Sequence, residues 1–337
     1  TQDGIGTFML TPSLIGRDSE LALLQQRFAN VCAGQFECVL IAGYSGIGKS
    51  RLMQELHGGI RRSRGFFCAG KFEQFRRDVP YAAIVEALAD LLNHVLSQPR
   101  EVFEHWQHGL QDALGNDAAM LLPLMPDLEL IIGPQAPLGV MSAIENENRI
   151  KAAFIRFCRV FASRQHPLVL FLDDLQWADT ASLRLLESLV SVAADASILL
   201  VGAYRDNEVD GSHPLWYLKQ ELQQQQPNLL DLQLGPLQEA DVARFIAETL
   251  HSRVDDVTTM AQVLHGKTLG NPFFLSRYLT QLYENGVIQF DAGQCRWCWN
   301  DDEIRALSLA DNVVELLSAK IRQYPQPTID LLMRASL

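Results

Sequence analysis

Gly43-Tyr44-Ser45-Gly46-Ile47-Gly48-Lys49-Ser50 decides the fold. It is a complete G-x-x-x-x-G-K-[ST] phosphate-binding loop, and both flanks agree with it. Val39-Leu40-Ile41-Ala42 is a short apolar run of strand type, and Leu52, Met53 and Leu56 recur at helical spacing. A strand, a glycine turn and a helix make a triphosphate cradle. The glycines permit a tight bend that turns backbone N–H groups inward, and the positive end of the following helix adds to the attraction for an anion. Lys49, expected to face solvent, would reach the β- and γ-phosphates of ATP, and Ser50 would offer its hydroxyl to Mg²⁺. Arg51 completes the group of nucleotide-binding residues read from this stretch. A chance glycine-rich turn is the alternative, and the matched strand and helix argue against it.

The second half of such a site is an apolar strand ending in acid. Leu168-Val169-Leu170-Phe171-Leu172-Asp173-Asp174 fits, with five apolar residues in a row as in a strand buried on both faces. Asp173 is expected to hold Mg²⁺ directly or through water, and Asp174 to orient or deprotonate the attacking water. An ordinary solvated turn is the other reading of the acidic pair. The chain between Lys49 and Asp173 is longer than a minimal fold requires, and 81–97, 100–114 and 141–164 carry helical periodicity.

With 337 residues, 48% of them hydrophobic, the chain buries a large core and forms more than one domain. A formal charge of −12 argues against a non-specific nucleic-acid binder, but not against ATP, because screening leaves binding to local groups. The cysteines at 32, 38, 68, 158, 295 and 298 suit a reducing cytosol. Cys295-Arg296-Trp297-Cys298 is a lone C-x-x-C without the second pair a zinc site needs, and reads as two cysteines on a hairpin. No signal peptide and no membrane-spanning run is visible. The first residue is Thr and the last stretch breaks off within an apparent helix, which implies a piece of a longer protein.

Residues 1–13 read as a poorly ordered lead-in. A helix is expected over 19–32 and strands over 36–42, 65–70, 168–173, 197–203 and 229–234, with a helix after the third strand capped by Asp179 or Thr180. This alternation predicts a three-layer α/β domain with a parallel sheet over 14–235, interrupted by a helical insertion at about 81–164. Its ligand crevice would lie at the carboxyl ends of the strands, where Gly46, Asp173 and Arg205 fall. A helical lid follows over 236–286. A hairpin turning at Asp291-Ala292-Gly293, with a helix from 311, makes 287–337 the start of a truncated winged-helix domain.

These motifs in this order resemble the signal-transduction ATPases with numerous domains (STAND), a branch of the AAA-like P-loop NTPases with an ASCE-type sheet. Within that branch the chain is similar to the ATPase module of large bacterial hybrids joining a serine/threonine-kinase-like domain to a histidine kinase. Besides the phosphate loop, the resemblance rests on Leu14-Ile15-Gly16-Arg17, Gly70-Lys71-Phe72-Glu73-Gln74-Phe75, Asp173-Asp174-Leu175-Gln176-Trp177-Ala178-Asp179, Gly202-Ala203-Tyr204-Arg205-Asp206 and Gly270-Asn271-Pro272-Phe273-Phe274. It implies that Gly16 and Arg17 border the adenine and ribose, that Arg205 senses the γ-phosphate, and that Pro272 packs on the nucleotide. Arg205 has a second reading as a surface partner of Asp206 or Glu208, and Pro272 one as a favourable first helical residue. Trp177 reads as packing. Lys71, Arg76 and Arg77 form a basic cluster from which an arginine finger for a neighbour is conceivable.

The function expected is a Mg²⁺-dependent ATP-hydrolysing switch in a cytoplasmic signal-transduction protein, with ATP or ADP controlling lid closure and self-association. Its partners would be kinase-like and sensor domains of the same polypeptide. The alternative is a nucleotide-gated scaffold that holds ADP with negligible turnover. Glycine-rich kinase, H-R-D and D-F-G motifs are all missing, so histidine or serine/threonine kinase activity would belong to other domains. A DNA-stimulated ATPase is weaker still, given the acidity.

Overall fold

The computed structural model describes residues 7–136, 138–139, 141–192, 195–225 and 229–306. They divide into two units, one of residues 17–235 and one joining the segment up to Gly16 to the chain from Pro236 onward.

The first unit runs α1 (Asp18–Cys32), β1 (Glu37–Ala42), α2 (Lys49–Arg62), β2 (Phe66–Lys71), then α3 (Ala82–Leu96), α4 (Arg100–Leu114), α5 (Ala118–Leu121), α6 (Leu128–Ile132) and α7 (Ala143–Phe161). It ends with β3 (Leu168–Asp173), α8 (Thr180–Val192), β4 (Ile198–Tyr204), α9 (Pro214–Gln225) and β5 (Leu230–Gln233). Five strands, among the described residues, form one parallel sheet in the order β2-β3-β4-β1-β5. β1 and β4 are buried along their whole length, which is why they read as unbroken apolar runs rather than alternating ones.

Alternate strand residues serve the two faces. Cys38, Leu40, Leu170, Leu172 and Leu200 join a core with α3, α7 and α8, while α1 and α2 cover the opposite face and bury Leu24, Phe28, Leu52 and Leu56. This is the three-layer P-loop NTPase arrangement expected from the alternation. Helices α3–α7 lie between β2 and β3; their Phe154, Phe157 and Phe161 are buried and Asp117 accepts from Arg149 and Arg156. Gly70 lets α3 approach β2, since a Cβ there would lie 1.9 Å from the Ala83 carbonyl oxygen. Asp179 is the cap expected for α8, accepting the Ser182 N–H at 2.8 Å.

The second unit contains α10 (Glu239–Thr249), α11 (Thr258–Thr268), α12 (Pro272–Glu284), β6 (Ile288–Asp291), β7 (Arg296–Trp299) and α13 (Asp301–Ala306). Val242, Ile246, Met260, Leu264, Leu275 and Leu279 build its core. Asn271 caps α12 by accepting the Phe273 and Phe274 N–H groups, with Pro272 at the first helical position. The hairpin turns at the expected place, with Asp291 opposite Arg296 and its carboxylate accepting the Gly293 and Gln294 N–H groups.

The lead-in requires correction. From residue 7 it is packed, not loose: Phe8 stacks on Tyr283 at 4.6 Å between centroids and Thr11 N–H donates to Thr249 Oγ1 at 3.3 Å. The cause is long-range contact, which the local polarity of 1–13 does not signal. Residues 1–6 and the helix expected from 311 lie outside the described residues.

All six cysteines are free thiols. Burial pushes the Cys38 and Cys158 thiols up to about 12 and the Cys68 thiol higher still, whereas Cys295 is exposed at the hairpin. No helix among the described residues is long and apolar enough to cross a membrane.

Candidate nucleotide site

β1 delivers the chain to the phosphate loop at the carboxyl edge of the sheet. Gly46 has φ 75° and Gly48 φ 103°, in the left-handed region that an L side chain enters only with strain. Gly48 is also the N-cap of α2, whose first turn carries no acidic residue, so no side-chain charge there opposes the positive end of the helix. Tyr44, Ser45 and Gly46 are exposed and Ile47 is buried.

Lys49 does not face solvent as expected. It is 7% exposed, and its ammonium donates to the carbonyls of Gly43 at 2.6 Å and Tyr44 at 3.1 Å. Burial lowers the Lys49 pKa below the ordinary lysine value, opposed by the charges of Asp173 and Asp174.

Ser50 Oγ donates to Asp173 Oδ2 at 2.8 Å. Two hard oxygens at that spacing suit Mg²⁺, for which neighbouring ligands at 2.0–2.1 Å in an octahedron lie about 2.9 Å apart. Asp173 also accepts the Asp174 N–H, at 3.0 Å through Oδ1.

Asp174 has φ 55° and is 4% exposed. Its Oδ2 receives Lys71 Nζ at 3.2 Å, and its Oδ1 receives Gln176 Nε2 at 2.9 Å and Arg205 Nε at 3.3 Å. Of the two readings made of Arg205, the pairing with Glu208 is present, at 2.7 Å. Its side chain also meets Asp174 at the strand ends, and its guanidinium lies 4.6 Å over the Trp177 ring. Trp177 thus contacts a charged group of the site rather than serving as packing alone.

Arg17 is 5% exposed, and its guanidinium donates to Ile47 O at 3.3 Å, Gly235 O at 2.5 Å and Glu20 at 3.3 Å. It braces the phosphate loop through a loop carbonyl. Arg51 lies on the exposed side of α2 beside Gln54 and Glu55. Gly16 and Pro272 belong to the other unit, Gly16 at φ 68° against Asp241 and Pro272 opening α12. In the basic cluster, Lys71 holds Asp174, Arg77 donates to Gln176 O at 3.2 Å, and Arg76 lies 3.9 Å from Glu73.

Lys71 and Gln176 are the site residues that sequence reasoning did not single out for this role. A signal for Lys71 existed, because a parallel sheet aligns the carboxyl ends of neighbouring strands and Lys71 stands opposite Asp173 in the β2–β3 register. Gln176 lies within the quoted Asp173–Asp179 string, but which way its amide turns depends on the backbone bend at Asp174.

The AAA ATPase domain profile matches residues 13–201. The chain is 27% identical over 390 residues to hybrid signal transduction histidine kinase G of Dictyostelium discoideum, a match covering 97% of this chain and 11% of that protein. It is 21% identical over 315 residues, 80% of this chain and 13% of the relative, to the peroxide stress-activated histidine kinase mak3 of Schizosaccharomyces pombe. The chain therefore spans only about a tenth of the length of these curated relatives. Among solved structures it is similar to Cdc6p of Pyrobaculum aerophilum, with a TM-score of 0.48 and 12% identity over 84% of this chain and 66% of that one. A STAND protein with a tetratricopeptide repeat sensor from Pyrococcus horikoshii gives a TM-score of 0.36 and 13% identity over 80% of this chain and 30% of that one.

Proposed function

The chain belongs to the AAA ATPase domain family, and from that premise we propose that it is a Mg²⁺-dependent, ATP-binding and ATP-hydrolysing switch module of a larger signal-transduction protein. The observation that carries the proposal is the convergence of Lys49, Ser50, Asp173, Asp174 and Arg205 at the carboxyl ends of β1, β3 and β4. The loop amides and Lys49 bind the phosphates, Lys49 exchanging loop carbonyls for phosphate oxygens. Ser50 and Asp173 hold Mg²⁺, which when bound neutralises phosphate charge. Asp174 has about four acceptor positions, three of them used by Lys71, Gln176 and Arg205. The remaining one orients the attacking water. Arg205 reads the terminal phosphate by leaving Glu208. Gly16, Arg17 and Pro272 border the nucleoside in this reading, Arg17 through the loop it braces, and Arg51 remains a peripheral contact.

Nucleotide state would control closure of the helical segment 236–286 and, through it, self-association. The histidine-kinase names of the relatives support sensor and kinase domains elsewhere in the same polypeptide as partners. Free thiols support a cytosolic location. Phosphate release by the purified chain tests the proposal: release is expected with Mg²⁺ and its loss with a chelator, and no release in either condition sinks it.

The burial and crowding of Asp174 favour a second reading, a scaffold that holds ADP with negligible turnover. Tightly bound ADP recovered from the purified protein, with a molecular mass that changes between ADP and ATP, would select it.

A further inference from the structure

Gln176 does more than occupy an acceptor position of Asp174: it is 1% exposed and its amide is bonded at both ends. Its side-chain amide donates from Nε2 to Asp174 Oδ1 at 2.9 Å and accepts at Oε1 from the Arg205 backbone N–H at 3.1 Å. Its carbonyl oxygen accepts from Arg77 Nη2 at 3.2 Å and from His213 Nε2 at 3.0 Å. The His213 tautomer is set by its other nitrogen, which accepts the Leu215 N–H at 3.1 Å.

The β3–β4 ladder explains why such a bridge matters. Its last register pair is Leu172 with Gly202. Beyond that pair the strands lead separately to Asp174 and to Arg205, and the Gln176 amide carries a bond across the gap between them. A hydrogen bond in so buried a place is stronger than in water, and its loss leaves polar groups unpaired.

We propose that Gln176 is a positioning residue that couples Arg205 to Asp174, so that a shift of the β4 end on meeting the terminal phosphate moves the carboxylate that holds the water. The inference rests on the ATPase reading of the site. An amide suits the place because it donates to a carboxylate at one end and accepts from a backbone N–H at the other whatever the pH.

The test compares the full chain with Gln176→Met and Gln176→Glu, in Mg·ATP turnover across the acid and neutral range and in calorimetric affinity for ATP and ADP. Gln176→Met keeps the length and removes both bonds. It should lower kcat by about 100-fold while KM changes less than about threefold, as expected of a group misplaced only for the reacting step. In Gln176→Glu the introduced carboxylate accepts from Arg205 N–H but repels Asp174; once protonated it donates again. Burial and the Asp174 charge raise the pKa of that carboxyl, so turnover of this variant should recover as pH falls, relative to Gln176→Met.

A Gln176→Met variant with wild-type kcat overturns the coupling, as does a Gln176→Glu profile that parallels the methionine variant. If Gln176→Met does not fold, the acid recovery of Gln176→Glu decides alone. If the wild type turns over no ATP, the hydrolysis reading fails separately. The coupling is then judged by the ATP-to-ADP affinity ratio, which Gln176→Met should lower about tenfold; an unchanged ratio overturns it. A wild type that binds neither nucleotide overturns both.

Discussion

Lys49 keeps its ammonium inside the loop it is expected to serve, bonded to two carbonyls of that loop. Its substitution therefore removes a phosphate ligand and an internal tie together. Lys49→Ala should weaken ATP binding by at least about 2 kcal/mol, the scale of a charge-assisted hydrogen bond, and calorimetric titration would measure it; unchanged affinity refutes the assignment. Asp174 calls for a choice of variant. At φ 55° an asparagine is tolerated and an alanine is strained. Asp174→Asn and Asp174→Ala should both cut phosphate release by about 100-fold or more, but the alanine variant should lose about 1 kcal/mol more stability than the asparagine variant in denaturant titration. The glycine–lysine–serine spacing made the loop legible, and the acidic pair followed from it. Among the partners of Asp174, Arg205 was placed at the same crevice and Lys71 follows from the alignment of β2 with β3, whereas Gln176 reaches it only through a left-handed bend that no local pattern reveals.

The elements of the sheet follow closely from apolar runs: β1, β3 and β4 are buried on both faces and admit no other placement. β2 and β4 were expected one residue early, β1 began one residue late and β5 was one residue long at each end, the usual scatter of strand boundaries. Short elements were missed for a different reason. α13, of which Asp301–Ala306 are described, holds three acids in its first turn, and this stretch has no amphipathic stripe to betray it. The junction of β2 with α3 depends on Gly70, which no local pattern reveals. Gly70→Ala drives a methyl group into the Ala83 carbonyl and should destabilise the unit of residues 17–235 by about 1–3 kcal/mol or more. Denaturant midpoints for the variant and the parent chain would show it, and equal midpoints would mean that α3 withdraws freely.

At the scale of the molecule, the residues of the phosphate site described above lie within residues 17–235. Ligand linkage through those residues then acts mainly on that unit's unfolding. ATP with Mg²⁺ at about 100 times its Kd should add about 2.7 kcal/mol to the stability of that unit. Scanning calorimetry should show the transition of that unit rising more with nucleotide than that of the other, and a single transition for the whole chain would indicate one cooperative body. The distribution of thiols offers a practical handle on the same question. Cys38, Cys68 and Cys158 are shielded and held as neutral sulfhydryls and Cys32 and Cys298 are half-buried, so a limiting amount of alkylating dye added to the native chain should label the exposed Cys295 at the hairpin first. The fluorophore would then report on the unit that contains none of those phosphate ligands, and a change in its emission on adding nucleotide would register communication between the two halves without a single mutation.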